Sequence, residues 1–388
     1  MAAPSPNRQK RCFERHPKKT IFFLGALLFI ALDLGLAQFW AERIPNIKNA
    51  YYHHDLAANY RGILAYGPYK YEIITNSLGF KDHSNRTIAK INDKYRILFM
   101  GDSFAEGVGF AYDDTFVGMI AKKLDNSTYE VLNAGVSSYS PKLYYLKIKY
   151  LIDVVGLKVD EIFVYIDISD ITDEIEYEHF TPSDANYWNF YNRMVFIIKR
   201  NSLVGNVVIK EIIKIRRDLV FRTMYRDDKK ITSNVSENQG KNGPLESSKY
   251  WENQDEYLRD RAAWTHNEEI FHKWGRKGLS LAEENLDKLN ELCKKNNIKL
   301  TIAVYPWPEE IKYHNVNSRN VMVWKKFCQE RDINYLNCYP YFFTGEKPEI
   351  IIGKYYITGD AHFNLEGQRL MAKIWLGSYN STNFHQVR

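Results

Sequence analysis

The segment Tyr95-Arg-Ile-Leu-Phe-Met-Gly-Asp-Ser-Phe104 runs from an apolar, β-favouring stretch straight into a glycine turn. Ile97 to Met100 reads as a buried strand, Gly101-Asp102-Ser103 ends it, and helix-compatible sequence resumes near Thr115. Strand, glycine, serine and helix in that order deliver Ser103 to the carboxyl end of a strand, the edge at which open α/β sheets bind ligands.

The same rhythm recurs on either side. Asp113 to Leu124 spaces Phe116, Met119, Ile120 and Leu124 as a helix face, and Tyr129 to Gly135 reads as a short strand closed by glycine. Lys142 to Val155 follows as a helix, then Glu161 to Asp167 as a third strand stopping at Ser169-Asp170. Strands alternating with helices imply a parallel sheet with right-handed crossovers, so the strand ends at Ser103, Gly135 and Ser169 belong on one edge. The rhythm resumes with a helix over 279–296, a strand over 299–305 closed by Pro306-Trp307-Pro308, a helix over 321–331, a short strand over 333–337 and a last helix over 368–376. Between them, 195–220 mixes apolar and basic residues as an inserted helical lobe would, a basic amphipathic helix resting on a membrane being the rival, and 227–250 is a polar loop. Ala41 to Asn92, rich in tyrosine, reads as an irregular approach to the first strand.

At 388 residues, with 45% hydrophobic and 26% charged residues, the chain has ample material for a large core. Aromatics at 15% suit carbohydrate-facing or envelope-facing surfaces. The formal net charge of +6 is concentrated in the first 20 residues, where Arg8, Lys10, Arg11, Arg15, Lys18 and Lys19 face Glu14 alone. With the remainder close to neutral, nucleic acid is not an expected partner.

That basic tail abuts an apolar run from Ile21 to Trp40, long enough as a helix to cross a membrane. Asp33 is its one acidic residue, placed in the second half where a charge costs less. A signal peptide cleaved near Gly35-Leu-Ala37 is the rival; the length of the run and the interfacial Trp40 favour an uncleaved anchor in the inner membrane. The basic flank places 1–20 in the cytoplasm and everything after 40 outside it.

Of the four cysteines, Cys12 falls in the cytoplasmic tail, leaving Cys293, Cys328 and Cys338 for at most one disulfide and one free thiol. No cysteine or histidine spacing suggests a metal, and His53-His54 reads as a solvated pair. No glycine-rich phosphate cradle is present, so neither nucleotide nor another cofactor is expected.

A serine hydroxyl needs a base, and the base needs a group that fixes its tautomer. His362 is the candidate base and Asp360, two residues earlier in a glycine-flanked loop before the last helix, the candidate orienter.

Gly101-Asp-Ser-Phe104, Asn133-Ala-Gly135, Asp167-Ile-Ser-Asp170 and Asp360-Ala-His-Phe-Asn364, with Asn76-Ser-Leu-Gly-Phe80 ahead of them, resemble the ordered blocks of the SGNH, or GDSL, hydrolase superfamily. The resemblance spans roughly 75–180 and 278–378. It implies a flavodoxin-like three-layer α/β fold, here with an N-terminal transmembrane helix and a helical insertion. The segments are then a tail over 1–20, an anchor over 21–40, a linker over 41–90, an α/β domain in two halves over 91–180 and 278–380, and the insertion over 181–277.

By position the resemblance makes Ser103 the nucleophile, His362 the base and Asp360 its orienter. It makes the N–H groups of Ser103 and Gly135 oxyanion donors, with Asn133 and Asp170 as further pocket candidates. Two departures stand out. Ser169 occupies the place of the family's oxyanion asparagine, which makes its hydroxyl a shorter-reaching third oxyanion donor, and losing such a donor can cost ~3–4 kcal/mol. The Asp-x-His spacing is also shorter than the usual Asp-x-x-His and is similar to that of members that transfer acetyl groups onto exported polysaccharides. The resemblance implies an ester hydrolase or O-acyltransferase whose substrate is an acyl ester of a carbohydrate. A non-catalytic glycan-binding subunit and a lipase-like enzyme are the competing expectations.

Overall fold

The computed structural model describes residues 16–40, 46–182, 198, 201–205, 207–209, 211–212, 261–313 and 316–383. The chain divides into two compact units, one from residues 1–43 and 188–243, the other from 44–187 and 244–388.

In the first unit, helix α1 (Pro17–Trp40) contains a stretch, Pro17–Ala37, of mean hydropathy 2.3 that is long and apolar enough to cross a membrane. The Asp33 carboxylate accepts the Val204 N–H at 3.0 Å, so the acidic residue in the apolar run has a polar partner. Short helical pieces over 201–212 are described; the amphipathic reading of 195–220 falls largely, and the polar loop of 227–250 wholly, outside the described residues.

The second unit carries the α/β core. Strands β5 (Tyr95–Gly101), β6 (Tyr129–Asn133), β7 (Glu161–Ile166), β8 (Lys299–Val304) and β9 (Asn334–Asn337) form one parallel sheet in the order β6-β5-β7-β8-β9. Relabelled from the first strand, this is 2-1-3-4-5, the flavodoxin-like order. Ile97 to Met100 and Ile162 to Ile166 are buried on both faces, as the middle strands of a covered parallel sheet must be. Helices α3 (Pro141–Tyr150), α4 (Asp170–Tyr177) and α5 (Arg276–Lys295) pack together on one side. Helix α2 (Phe116–Lys123) packs on the last helix, α8 (Leu365–Asn383), which α7 (Pro348–Tyr355) also contacts, while α6 (Arg319–Arg331) packs on β8 and β9.

The stretch read as an irregular approach is instead two antiparallel hairpins. They are β1 (Asn46–Asn49) with β2 (His53–Leu56), and β3 (Arg61–Tyr66) with β4 (Tyr69–Ile74). The second turns through two residues, Gly67-Pro68, with Gly67 at φ 53°, and β3 alternates exposed and half-buried positions as a strand with one solvated face does.

The first hairpin is tied down by a buried ion pair. Lys147 on α3 donates to Asp55 on β2 at 2.7 Å and to the Ala134 carbonyl at 3.1 Å, and Asp55 also accepts the Tyr52 hydroxyl at 3.0 Å. The His53-His54 pair is not solvated: His54 Nε2 lies 2.9 Å from the Ser137 carbonyl, and its ring meets Tyr139 edge-on. Burial lowers both imidazoles, His53 to about 3 and His54 to about 4, so they stay neutral. Cys293, Cys328 and Cys338 are all free and buried, so the one disulfide their number allowed is not formed, and burial pushes the first two thiols up to about 12.

Replacing one partner of the buried pair strands the other. Lys147→Met is expected to destabilise the fold by about 3–5 kcal/mol, read as a lowered urea midpoint of the detergent-solubilised chain.

Candidate active site

Gly101 is the last residue of β5, and a Cβ there would lie 2.7 Å from Ala105 Cβ and 3.0 Å from the Tyr165 carbonyl. The next residue, Asp102, caps a one-turn helix, Ser103–Glu106, by accepting the Phe104 N–H at 3.0 Å; Gly107 at φ 72° ends it. Ser103 therefore stands at the first helical position, where an amide has no intrahelical acceptor.

The loop before α8 approaches from the other side. Gly359 at φ 80° turns it, the Asp360 N–H bonds the Ile357 carbonyl, and the Ile357 N–H bonds the His362 carbonyl. The His362 ring stacks on Phe104 at 4.6 Å between centroids. Ser103 Oγ lies 2.8 Å from His362 Nε2, and His362 Nδ1 lies 2.5 Å from Asp360 Oδ1, which also accepts the His362 backbone N–H at 2.9 Å. The histidine and aspartate are each still partly open to solvent. Burial alone would lower His362; the hydrogen bond and charge of Asp360, with Asp102 and Asp167 behind, outweigh it and raise the imidazole above its ordinary value. Burial would raise Asp360, but its bonds to His362 and to Tyr66 hold it below the usual carboxylate range.

These residues line a cleft of about 290 Å³ together with Tyr66, Asp102, Ser137, Asp167, Ser169 and Arg261. Asp167, at the end of β7, accepts the Trp307 indole N–H at 2.5 Å, the Tyr305 hydroxyl at 3.2 Å and the Ser169 N–H at 3.0 Å. The Ser169 hydroxyl also donates to Asp167. Ser169 thus reaches the cleft with its hydroxyl already engaged.

The other expected donor is engaged as well. The Gly135 N–H donates to Asn133 Oδ1 at 3.1 Å, while Asn133 donates to the Ala105 carbonyl at 2.9 Å. Neither residue lines the cleft: the pair closes the end of β6 onto the Ser103 helix. Asp170 lies beneath the cleft, fully buried, accepting the Tyr144 hydroxyl at 2.8 Å and the Asp167 N–H at 3.2 Å.

Asp102, Asp167 and Asp170 bring three carboxylates within 4.8 Å of one another, which is also the spacing of an oxygen-ligand cation cluster. Protonation and the surrounding hydroxyl, indole and amide donors meet that charge. Burial first, and the charge of Asp167 second, push Asp102 up to about 8; burial raises Asp170 well above its ordinary value. Ser103 Oγ donates to Asp102 Oδ2 at 3.0 Å.

Sequence reasoning did not single out Tyr66, Asp102, Asp167, Ser137, Arg261 or Trp307 for the cleft. Asp167 and Trp307 sit at strand ends and could have been found by that position. Tyr66 and Arg261 come from segments without a motif.

No protein-family model matches the sequence, and no curated protein matches it. Among solved structures the chain is similar to a GDSL-like lipase from Bacteroides thetaiotaomicron at 14% identity, over 76% of this chain and 93% of that one, with a TM-score of 0.35. It is similar to an acetylxylan esterase from Geobacillus stearothermophilus at 11% identity, over 74% and 95%, with a TM-score of 0.36. It is also similar to an α/β hydrolase from the metagenome of Lake Arreo, Spain, at 10% identity, over 74% and 96%, with a TM-score of 0.36. The strand order and parallel register of β5 to β9 are those of a flavodoxin-like sheet.

Because folding raises Asp102 to about 8, the folded protein holds a proton that the unfolded chain has released, and stability falls as pH rises from about 4 towards that value. Asp102→Asn keeps the acceptor for Phe104 and removes the titration. Its advantage in unfolding midpoint over the parent is expected to widen between pH 5 and pH 8; a constant difference would place the proton elsewhere.

Proposed function

We propose that this protein is an SGNH-type serine esterase or O-acyltransferase. Helix α1 anchors it in the inner membrane, the α/β unit faces the periplasm, and the substrates are acyl esters, acetyl esters foremost, of envelope glycans. The observation that carries the reading is the chain of contacts from Ser103 Oγ to His362 Nε2 at 2.8 Å and from His362 Nδ1 to Asp360 Oδ1 at 2.5 Å.

In this reading Ser103 Oγ attacks the ester carbonyl while its proton passes to His362 Nε2, and the Asp360 carboxylate stabilises the imidazolium. The Ser103 N–H faces the developing oxyanion. Collapse breaks the bond to the alcohol, which takes the proton from His362, and leaves an acyl-serine. Water or a sugar hydroxyl then gives its proton to His362 and takes the acyl group, and the departing Ser103 oxygen takes that proton back from His362. Hydrolysis and transfer differ only in that acceptor. Support for a hydroxyl-rich acceptor comes from the cleft wall, where Ser137, Ser138, Asp173 and Arg261 are among the lining residues. Support for the orientation comes from the basic residues preceding α1.

A second reading, a non-catalytic glycan-binding subunit, is favoured by one observation: Gly135 and Ser169 spend their donors within the protein. A fluorophosphonate probe separates the two. Labelling of the full chain that disappears in Ser103→Ala is the expected result; no labelling, with p-nitrophenyl acetate turnover the same in both, would sink the enzyme.

Only neutral imidazole accepts the serine proton, and His362 is raised above its ordinary value, so activity is expected to rise with a midpoint above about pH 6.5. Asp360→Asn removes the charge that raises it. That variant is expected to be slower and to have its midpoint at lower pH, read from pH–rate profiles of both proteins.

A further inference from the structure

The two-residue spacing of Asp360 and His362 leaves half of the aspartate without work inside its own loop. Oδ1 takes both the His362 backbone N–H, at 2.9 Å, and Nδ1, at 2.5 Å. Oδ2 turns the other way and meets the Tyr66 hydroxyl at 3.0 Å, and the same hydroxyl lies 2.8 Å from His362 Nδ1. Tyr66 closes a three-cornered contact with both residues, and its ring meets the imidazole edge-on at 5.1 Å.

The side chain that does this does not belong to the sheet. Tyr66 is the last residue of β3, immediately before the Gly67-Pro68 turn, and its half-buried ring packs beside Gly109, where a Cβ would come 3.7 Å from Tyr66 Cδ1 and 3.8 Å from Ile357 Cδ1. The hairpin thus sets its tip between the loop after the Ser103 helix and the loop that carries His362. No backbone bond links Asp360 Oδ2 to anything else among the described residues, so the tyrosine supplies its outer anchor.

We propose that Tyr66 is a positioning residue for the catalytic pair, fixing the Asp360 carboxylate and the His362 ring from the β3–β4 hairpin and so making that hairpin part of the active site. The inference rests on the serine-esterase reading for its kinetic consequence, though not for the contact itself. Asp360, Tyr66, Asp102, Ser103 and Asp167 are the groups that act on His362 from its own loop, the hairpin, the β5 turn and the β7 end. Of these, the phenol alone draws density from Asp360 Oδ2. Without it the carboxylate is less well placed for turnover, yet its full charge is left for the imidazolium.

The test compares the detergent-solubilised full chain with Tyr66→Phe by two measurements: the rate of fluorophosphonate labelling across pH, and the His362 titration followed by NMR of 13C-labelled imidazoles. Tyr66→Phe is expected to label on the order of tenfold more slowly, with labelling midpoint and imidazole titration both moved to higher pH. Arg61→Ala, on the same hairpin and paired, among the described residues, with exposed Glu72, is expected to leave both unmoved. An unchanged titration in Tyr66→Phe overturns the proposal, as does an equal shift in Arg61→Ala, which would trace the effect to hairpin docking and not to the hydroxyl. If the parent chain is not labelled but Tyr66→Phe still moves the titration, the esterase reading fails and the positioning contact stands.

Discussion

The turn at Gly101 is the constraint on which the site depends. A parallel strand running into a helix must reverse within two residues, and here it does so hard against β7. Any side chain at Gly101 would enter the space of Ala105 and the Tyr165 carbonyl. The same crowding recurs at Gly135, where a Cβ would sit 2.7 Å from the Glu106 N–H nitrogen. Two adjacent strand ends, β5 and β6, therefore close on the Ser103 helix from both sides. Asn133 completes the closure by holding Gly135 and Ala105 at once. This packing fixes the serine but consumes the Gly135 amide that the family resemblance assigned to an oxyanion.

The second theme is charge at the carboxyl ends of the sheet. Asp102, Asp167, Asp170 and Asp173 all fall at or just past strand ends on one edge, and all four are buried. Burial and mutual repulsion push Asp102 up to about 8, Asp170 well above its ordinary value and Asp173 up to about 7, with Arg261 opposing the last. Asp167 is the one wrapped in donors, from Tyr305, Trp307 and Ser169. Asp167 and Asp360 both act on the His362 ring. His362, facing both, is drawn towards its charged form.

Much of the fold was legible because it follows local rules. The strands β5 to β8 carry short apolar stretches followed by glycine, polar or proline-rich turns, and the crossover helices carry apolar residues at helical spacing. Elsewhere the signal was weaker. In the β3–β4 hairpin the alternation is uneven, since the inward positions of β3 are only half-buried while Tyr71 and Ile73 of β4 are buried. Helix α4 begins at Asp170, in a run of acidic residues that resembles a solvated turn until its burial is known. The three buried cysteines look the same in sequence whether paired or free.

Ser103, Asp360 and His362 could be named from the sequence by itself, because a residue at a strand end or in a glycine-flanked loop announces its place through its neighbours. What those residues touch was decided only in three dimensions. The hydroxyl of Ser169 and the amide of Gly135 could each have been left free to donate, and it is their nearest acceptors, Asp167 and Asn133, that engage them. Tyr66 lies nearly three hundred positions from His362 along the chain, and nothing local distinguishes it from the other tyrosines. Sequence sets the periodicity that builds strands and helices, whereas a hydrogen bond between distant side chains exists only once packing has brought donor and acceptor within about 3 Å.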